Sequence, residues 1–210
     1  VEDMKAYFEE YGEPLKEYII DTGLYLNKAN AEGKKIMFEA QLGALRDIDY
    51  GIVPYTSSSS TIAAYAPIGA GVPNLKLDKS IGIMKADKLR ELGGEYGAAT
   101  GRPRRVGPFD VVASRYGIRC QGADEIALTK LDILDDYEEI EICTHYELNG
   151  KVIDEFPFTD VLDMCKPVFE KVKGWHCDIS KCRKAEDLPK EALDYIRLLE
   201  KLCGCKIKYV

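Results

Sequence analysis

Short apolar segments, each followed directly by polar residues or glycine, constrain the fold of this chain more than any other feature. Residues 35–39, 80–85 and 125–132 are segments of this kind, residues 206–210 are a further predicted strand, and helical patterns lie between several of these segments. Strands that alternate with helices predict an α/β fold, with a mostly parallel central sheet flanked by helices. In that class of fold, ligands bind at the carboxyl edge of the sheet, where the strands end.

Apolar residues spaced three or four apart predict helices over residues 1–32 and 109–116, and a short helical piece at 87–92. The clearest helix pattern follows Asp187, which we expect to cap the helix, and closes at Gly204. Its predicted buried face consists of Leu188, Leu193, Ile196, Leu199 and Cys203.

Two further segments carry weaker or more local signals. Residues 159–172 are amphipathic and predict helical structure interrupted at Pro167. Alternation over residues 138–153, with Asn149 and Gly150 at the turn, predicts a β-hairpin.

The composition is that of a folded globular protein and limits the classes of partner. The 210 residues are 46% hydrophobic and 31% charged, which is enough for a sizeable core. No repeat or boundary is visible, so residues 1–210 are predicted to form a single α/β domain. The formal net charge of -7 disfavours nucleic acid as a partner, so that any anion would have to be bound by a local cluster.

Neither a membrane segment nor a secretory signal is visible in the sequence. The closest candidate for a membrane span, residues 62–72, is too short to cross a bilayer, and Glu2 and Asp3 begin the chain with acidic residues. We therefore expect a cytoplasmic protein without a membrane partner.

Seven cysteines in a chain of this kind predict mostly reduced thiols that pack as small apolar residues. A possible metal-binding group near the end of the chain consists of His176, Cys177, Cys182, Cys203 and Cys205. Because these residues lack the paired C-x-x-C spacing of structural zinc modules, a metal site is disfavoured there. The other histidine, His145, lies in an alternating stretch and is predicted to be a strand residue.

The first candidate site is segment 94–105, which concentrates glycine and arginine in an otherwise acidic chain. Its glycines and arginines are Gly94, Gly97, Gly101, Arg102, Arg104 and Arg105. Glycine lets backbone N–H groups approach a bound anion, and arginine fits a carboxylate or phosphate in bidentate fashion. Thr100 adds a hydroxyl. We interpret the segment as an anion-binding loop, with a solvated surface turn and an arginine-rich nucleic-acid contact as alternatives.

The second candidate site is the end of an apolar segment, Thr129-Lys130-Leu131-Asp132. A carboxylate there can accept two hydrogen bonds from N1–H and the exocyclic amine of guanine, while the lysine stem lies over the base. Adenine lacks this donor pair and would leave the carboxylate unpaired, a loss of about 1 to 3 kcal/mol or more. The alternative is an ordinary surface pair of lysine and aspartate after a strand.

Six hydroxyl residues follow one another at positions 56–61, between apolar segments. Such a run suits a pocket for a phosphate or sugar as well as it suits a flexible connector, and both interpretations stay open at this point.

Taken together, these motifs resemble the adenylosuccinate synthetase family over most of the chain. Segment 94–110 resembles the family's aspartate-binding loop, residues 128–132 its guanine-recognition motif, and residues 47–59 its IMP-site region. The resemblance implies a P-loop NTPase-like GTP-binding fold, incomplete in this chain, which would be the C-terminal portion of a larger synthetase.

The resemblance also implies a reaction: IMP, L-aspartate and GTP give adenylosuccinate, GDP and phosphate, with Mg²⁺, in purine biosynthesis. GTP would phosphorylate the 6-oxygen of IMP, and the aspartate amine would then displace it. A homodimer is implied as well. The implied contacts to aspartate and IMP are Ala98, Ala99, Thr100, Gly101, Arg102, Ser57 and Gln41. The implied contacts to GTP are Arg104, Lys130, Leu131 and Asp132.

The chain departs from the family pattern in several places. Gln41 stands one position earlier than the family's IMP-contacting glutamine, and Ser57 replaces a threonine. The family's catalytic residues belong to an N-terminal half, so none is assigned here, no metal ligand is assigned, and this chain alone is expected to be inactive. The family also has a segment between Ala86 and Asp87. Either this segment is truly deleted, which would leave a normal bond, or the sequence joins two stretches across it. We expect the second, with these Cα atoms much farther apart than the ~3.8 Å of a bonded pair.

Two other functions fit the same motifs. One is a guanine-nucleotide-binding module without ligase activity, and the other is a structural α/β domain whose arginine loop binds nothing. Calorimetry distinguishes them, because only the first of the two binds GTP.

Overall fold

The structure is a computed structural model in which the described residues are 2–86, 91, 93–97 and 101–210. Contacts divide the chain into two compact units. The first comprises Val1–Ala40 and Ala64–Leu77, and the second comprises Gln41–Ala63 and Asp78–Val210. The single domain over residues 1–210 stays a prediction. In the described part of the chain, no helix is both long and apolar enough to cross a membrane.

The first unit contains three α-helices among its described residues: α1 (Glu2–Tyr7), α2 (Thr22–Ala31) and α3 (Ala66–Gly69). The helical prediction for residues 1–32 is thus confirmed in part, since the helical structure is interrupted before α2. The Asp21 carboxylate caps the start of α2 by accepting a hydrogen bond from the backbone N–H of Leu24. The strand predicted at residues 35–39 is wrong. Met37 in that segment is 88% exposed, so this apolar side chain is not buried in a sheet.

The parallel sheet of the second unit carries the candidate site. It consists of β1 (Ile81–Lys85), β3 (Glu125–Thr129) and β7 (Lys206–Tyr209), in the order β1-β3-β7 with both pairings parallel. The predicted α/β fold with a parallel sheet is confirmed, as are these three strands. Since β1 and β3 are parallel and Lys85 pairs with Thr129, both strands end at the same edge of the sheet.

A second, mixed sheet has β4 as its central strand. Its strands are β2 (Phe109–Asp110), β4 (Glu139–Leu148), β5 (Lys151–Ile153) and β6 (Lys166–Lys173). Strand β4 is parallel to β2 and antiparallel to β5 and β6. The predicted hairpin is confirmed, with Asn149 and Gly150 both at positive φ, 52° and 76°, as a tight hairpin turn requires. His145 lies in β4, as predicted.

The helical prediction for residues 159–172 is largely wrong. Only Thr159–Leu162 forms a helix, α5, and Lys166–Lys173 is strand β6. β6 pairs with β4 and with no other strand among the described residues, and an edge position of this kind tolerates the missing N–H of Pro167.

Helices α4 (Val111–Gln121) and α6 (Lys190–Cys203) pack in the second unit. Helix α4 begins two residues later than predicted, because Phe109–Asp110 pair with β4 and the Asp110 carboxylate accepts from the N–H of Ala113 at 2.9 Å. Gly204 ends α6 at φ 66°, as predicted.

The start and the buried face of α6 differ from the prediction. Pro189 occupies the cap position, while Asp187 accepts hydrogen bonds from backbone N–H groups of the preceding turn. The buried side chains of α6 are Ala192, Tyr195, Ile196, Leu199 and Cys203. Leu188 and Leu193 are only half-buried. These buried side chains of α6 pack in one core with the buried residues of β3 and β4. This packing holds β3, the strand that leads into the candidate site, in place.

Candidate functional site

The carboxyl edge of the parallel sheet brings the two sequence motifs together. Lys130 follows β3 in the left-handed conformation, with φ 62°, and its ammonium group donates to the carbonyl oxygen of Gly93. The Thr129 hydroxyl donates to the carbonyl oxygen of Met84, at the end of β1, over 3.1 Å. The Thr-Lys-Leu-Asp segment therefore contacts both the end of β1 and Gly93, which directly precedes the glycine- and arginine-rich loop.

Glu95 is the residue on which this arrangement centres. It is 5% exposed, and its carboxylate lies 2.5 Å from the ammonium nitrogen of Lys85 and 3.1 Å from Nη1 of Arg104. Lys130 Nζ lies 4.0 Å from the same carboxylate. The sequence analysis assigns no role to Glu95. Its one signal in the sequence is that it is the one acidic residue of segment 94–105, and a carboxylate within a predicted anion-binding loop suggests no role by itself.

Backbone hydrogen bonds join the two arms of the loop. The N–H of Arg104 donates to the carbonyl oxygen of Glu95 at 2.9 Å, and the N–H of Gly97 donates to that of Arg102 at 2.8 Å. Gly101 adopts φ 63°, a conformation that favours glycine. Three residues implied to contact aspartate, namely Ala98, Ala99 and Thr100, lie outside the described residues, as do most of the predicted helical piece at 87–92 and the Ala86–Asp87 separation.

Asp132 presents a carboxylate that is open to a ligand. It lies in a 3₁₀ turn, Leu131–Leu134, and is exposed, whereas Leu131 is 3% exposed. Among the described residues, the Asp132 side chain has no hydrogen bond and no ion pair. The buried Leu131 side chain holds the turn in the core, so Asp132 is fixed in place while its carboxylate stays unpaired.

A cleft of about 320 Å³ lies beside this cluster. Its lining residues are Leu42, Gly43, Ala44, Leu45, Met84, Lys85, Gly107, Pro108, Phe109, Asp110, Ala113, Ser114 and Gly117. Gln41 is exposed and directly precedes this lining at Leu42, which adopts φ 76°. Lys85 is common to the cleft and to the Glu95 cluster, so the two are adjacent.

The Asp110 carboxylate in the wall of this cleft is already engaged by the protein. Besides capping α4, it accepts a 2.5 Å hydrogen bond from the hydroxyl of Tyr146. Burial, together with this bond to Asp110, raises the pKa of Tyr146 far above its usual value. Asp110 and Tyr146 thus fix the start of the helix that forms one wall of the cleft.

Asp47 organises segment 43–61, which contains the hydroxyl-rich run. Its carboxylate is 1% exposed and accepts backbone N–H bonds from Asp49, Tyr50 and Thr61 at 2.9, 3.0 and 2.6 Å. The Ser57 N–H donates to the carbonyl oxygen of Arg46 at 2.7 Å, and its hydroxyl donates to that of Ser59. These bonds favour a formed loop over a freely flexible connector.

Replacing Asp47 by asparagine is expected to destabilise the protein by about 2 kcal/mol at pH 7, because an amide leaves buried donors without an acceptor. Burial acts to raise the pKa of Asp47, but the hydrogen bonds from Thr61, Asp49 and Tyr50 outweigh it, so the net pKa lies below 3.8. A depressed pKa in the folded state stabilises the protein above the unfolded-state value, and this contribution is lost as the pH falls through the folded value.

Urea unfolding of the wild type and of Asp47→Asn at pH 7 and at pH 3 tests this expectation. The difference between the two proteins should shrink at the lower pH. Asp49→Asn, which changes an exposed neighbouring carboxylate, is the control and should cost little at either pH. A difference that is independent of pH would contradict the assigned role of the Asp47 charge.

The cysteines are all free thiols. Burial raises the pKa of Cys143 to about 11 and that of Cys203 to about 12, so both are protonated and unreactive near neutral pH. Within the described residues, no group of three or more His, Cys, Asp or Glu side chains is arranged to hold a metal ion.

A parallel sheet with a glycine- and arginine-rich loop after β1 and the Lys130-Leu131-Asp132 turn after β3 is the arrangement of an α/β ligand-binding protein. The family model for adenylosuccinate synthetase matches residues 1–88 and 86–210. The chain belongs to the adenylosuccinate synthetase family.

Individual relatives agree with this assignment. The chain is 42% identical to the adenylosuccinate synthetase of Geotalea daltonii, with 97% of the chain and 52% of the relative covered. It is 42% identical to that of Caldanaerobacter subterraneus, with 99% and 54% covered. The fully ligated adenylosuccinate synthetase structure from Plasmodium falciparum matches with a TM-score of 0.90 and 31% identity, over 96% of this chain and 53% of that one.

The chain spans about half the length of the curated relatives that it matches. The two stretches matched by the family model meet at residues 86–88, where the sequence predicts a missing segment. The alignment to the Geotalea daltonii relative extends over 226 residues, more than the 210 of this chain. Both findings support the prediction that relatives carry residues that this chain lacks.

Proposed function

We propose that the protein carrying this chain is a GTP-dependent carbon–nitrogen ligase that joins IMP and L-aspartate to form adenylosuccinate in purine biosynthesis. Family membership supports the reaction. The single observation that carries the proposal is the convergence of two distant motifs on Glu95, because this contact sets Arg104 of the anion-binding loop beside Lys130 of the guanine motif.

The proposed GTP contacts are Arg104, Lys130, Leu131 and Asp132. The unpaired carboxylate of Asp132 suits the N1–H and amine donors of guanine, and Lys130 would lie over the base. Arg104 would approach the phosphates. A guanidinium has five N–H donors in a rigid fork, so a bond to Glu95 through one edge is compatible with an anion at another.

The proposed contacts to aspartate and IMP lie on the loop and beside the cleft. The aspartate contacts are Ala98, Ala99, Thr100, Gly101 and Arg102, and Arg102 would also reach IMP. Ser57 and Gln41 are proposed IMP contacts. Gly101 has no Cβ, so a ligand carboxylate can come close to the backbone there.

The reaction would proceed in two steps. In the first step N1 of IMP loses its proton, the 6-oxygen attacks the γ-phosphorus of GTP, and GDP leaves. In the second step the aspartate amine attacks carbon 6 and loses a proton, and phosphate departs with the former 6-oxygen. Residues of this chain would bind and orient the three reactants. No catalytic base is assigned to this chain, which is expected to be inactive alone.

Mg²⁺ is expected from the resemblance, but the described residues offer no cluster of carboxylate, imidazole or thiolate ligands for it. We therefore assign no magnesium ligand to this chain, and no step depends on one. Homodimer formation and a cytoplasmic location likewise stay predictions.

Product analysis with the intact protein tests the proposed function. Adenylosuccinate, detected by chromatography, should form only when IMP, aspartate and GTP are all present, and ATP should not replace GTP. GTP binding in calorimetry without any product would support a guanine-nucleotide-binding module instead. The absence of both would leave a structural domain.

A further inference from the structure

Glu95 has no role in the reaction as proposed above, yet its carboxylate faces both cations that are assigned to GTP, Arg104 and Lys130. Its side chain is 7% exposed, and its two oxygens are divided between partners. Oε1 faces Lys85 at 2.5 Å and Lys130 at 4.0 Å, while Oε2 faces Arg104 at 3.1 Å. Among the described residues, three cations from three separate segments thus share one nearly buried carboxylate.

The positive charges around Glu95 give a physical reason for a carboxylate in an anion-binding site. Three cations that each lie within 4.0 Å of one carboxylate repel one another where solvent is partly excluded. One carboxylate reduces this repulsion and still leaves these four groups with a net positive charge, which attracts phosphate. Without the carboxylate, Lys85, Arg104 and Lys130 would separate toward solvent, since each is 36 to 49% exposed at its side chain.

The backbone also joins Glu95 to Arg104. Its carbonyl oxygen accepts from the N–H of Arg104 at 2.9 Å, so Glu95 and Arg104 are joined through main chain and side chain alike. This main-chain bond keeps the Glu95 carboxylate within reach of the Arg104 guanidinium.

We propose that Glu95 is a positioning residue for GTP, which sets the Arg104 guanidinium for the phosphates and the Lys130 side chain for the base. The inference rests on the proposed function. It predicts that loss of the Glu95 charge harms the use of GTP more than the use of IMP or aspartate, because Arg104 and Lys130 are both assigned to GTP.

Steady-state kinetics of Glu95→Gln in the intact protein test this inference. The KM for GTP should rise roughly tenfold, as expected for the loss of a charged hydrogen-bond partner, while the KM values for IMP and aspartate stay within about twofold. Glu95→Asp keeps the charge and should restore part of the GTP affinity. Glu139→Gln, which removes an exposed carboxylate paired with Lys171 at 2.9 Å, is the control and should resemble the wild type.

Several outcomes would overturn the inference. They are an equal rise in all three KM values, a GTP affinity that increases in Glu95→Gln, and kinetics that match those of Glu139→Gln. If circular dichroism shows that Glu95→Gln is unfolded, Glu95→Asp decides alone: its KM for GTP must rise at least threefold with the other two unchanged. A wild-type protein that forms no adenylosuccinate would refute the proposed function, whereas an active wild type with an unaffected Glu95→Gln refutes only the role of Glu95.

Discussion

Replacing Arg102 by leucine is expected to lower kcat/KM for aspartate and for IMP by about 100- to 1000-fold, while the affinity for GTP stays within about twofold. Loss of one partner from a desolvated charge pair typically costs about 2 to 5 kcal/mol, and leucine offers no donor to a carboxylate. Arg102 lies in the exposed part of the loop, and the hydrogen bond from the N–H of Gly97 reaches its backbone carbonyl oxygen. This bond does not depend on the side chain.

Steady-state kinetics with each substrate varied in turn provide the measurement. Arg197→Leu is the matched control, because Arg197 is an exposed arginine of α6 that pairs with Asp194 at 3.8 Å, outside the candidate site. It should behave as the wild type. A similar loss in both variants, or an Arg102→Leu defect confined to GTP, would contradict the assignment of Arg102 to aspartate and IMP.

Replacing Asp132 by asparagine is expected to weaken GTP binding about 100-fold and to reduce the discrimination against ATP. The carboxylate would accept from two donors of guanine, whereas asparagine offers one acceptor and places an N–H₂ donor against a donor of the base. Because the Asp132 side chain has no hydrogen bond or ion pair to the described residues, the substitution should leave the stability of the fold nearly unchanged.

Calorimetric titrations with GTP and with ATP measure this effect directly. Asp136→Asn changes an exposed carboxylate four residues away and should leave both affinities intact. If Asp132→Asn binds GTP as tightly as the control does, Asp132 does not read the base.

Local sequence signals predicted the features of the fold that depend on neighbouring residues. The apolar strand that precedes Lys130 is where the pattern indicates it. The Asn149-Gly150 turn and the helix end at Gly204 follow from the positive φ values that these positions adopt. The two candidate binding segments, 94–105 and 129–132, are each visible in the sequence as a separate local pattern.

Features that depend on distant partners could not be predicted in the same way. The helical prediction around Pro167 failed because pairing with β4 overrides the local pattern. Asp47 acquires its role only when Thr61, fourteen residues later, donates to it. Glu95 likewise acquires its role only when β1, β3 and the loop meet at one edge of the sheet, so the pattern of segment 94–105 alone could not reveal it.

We propose that the intact protein activates the 6-oxygen of IMP with GTP before aspartate replaces it. IMP labelled with ¹⁸O at position 6 tests this claim in one measurement, by mass spectrometry of the inorganic phosphate formed with GTP and aspartate. The account predicts one ¹⁸O atom in the phosphate for each adenylosuccinate produced. Adenylosuccinate formation with unlabelled phosphate, or no product at all, would contradict it.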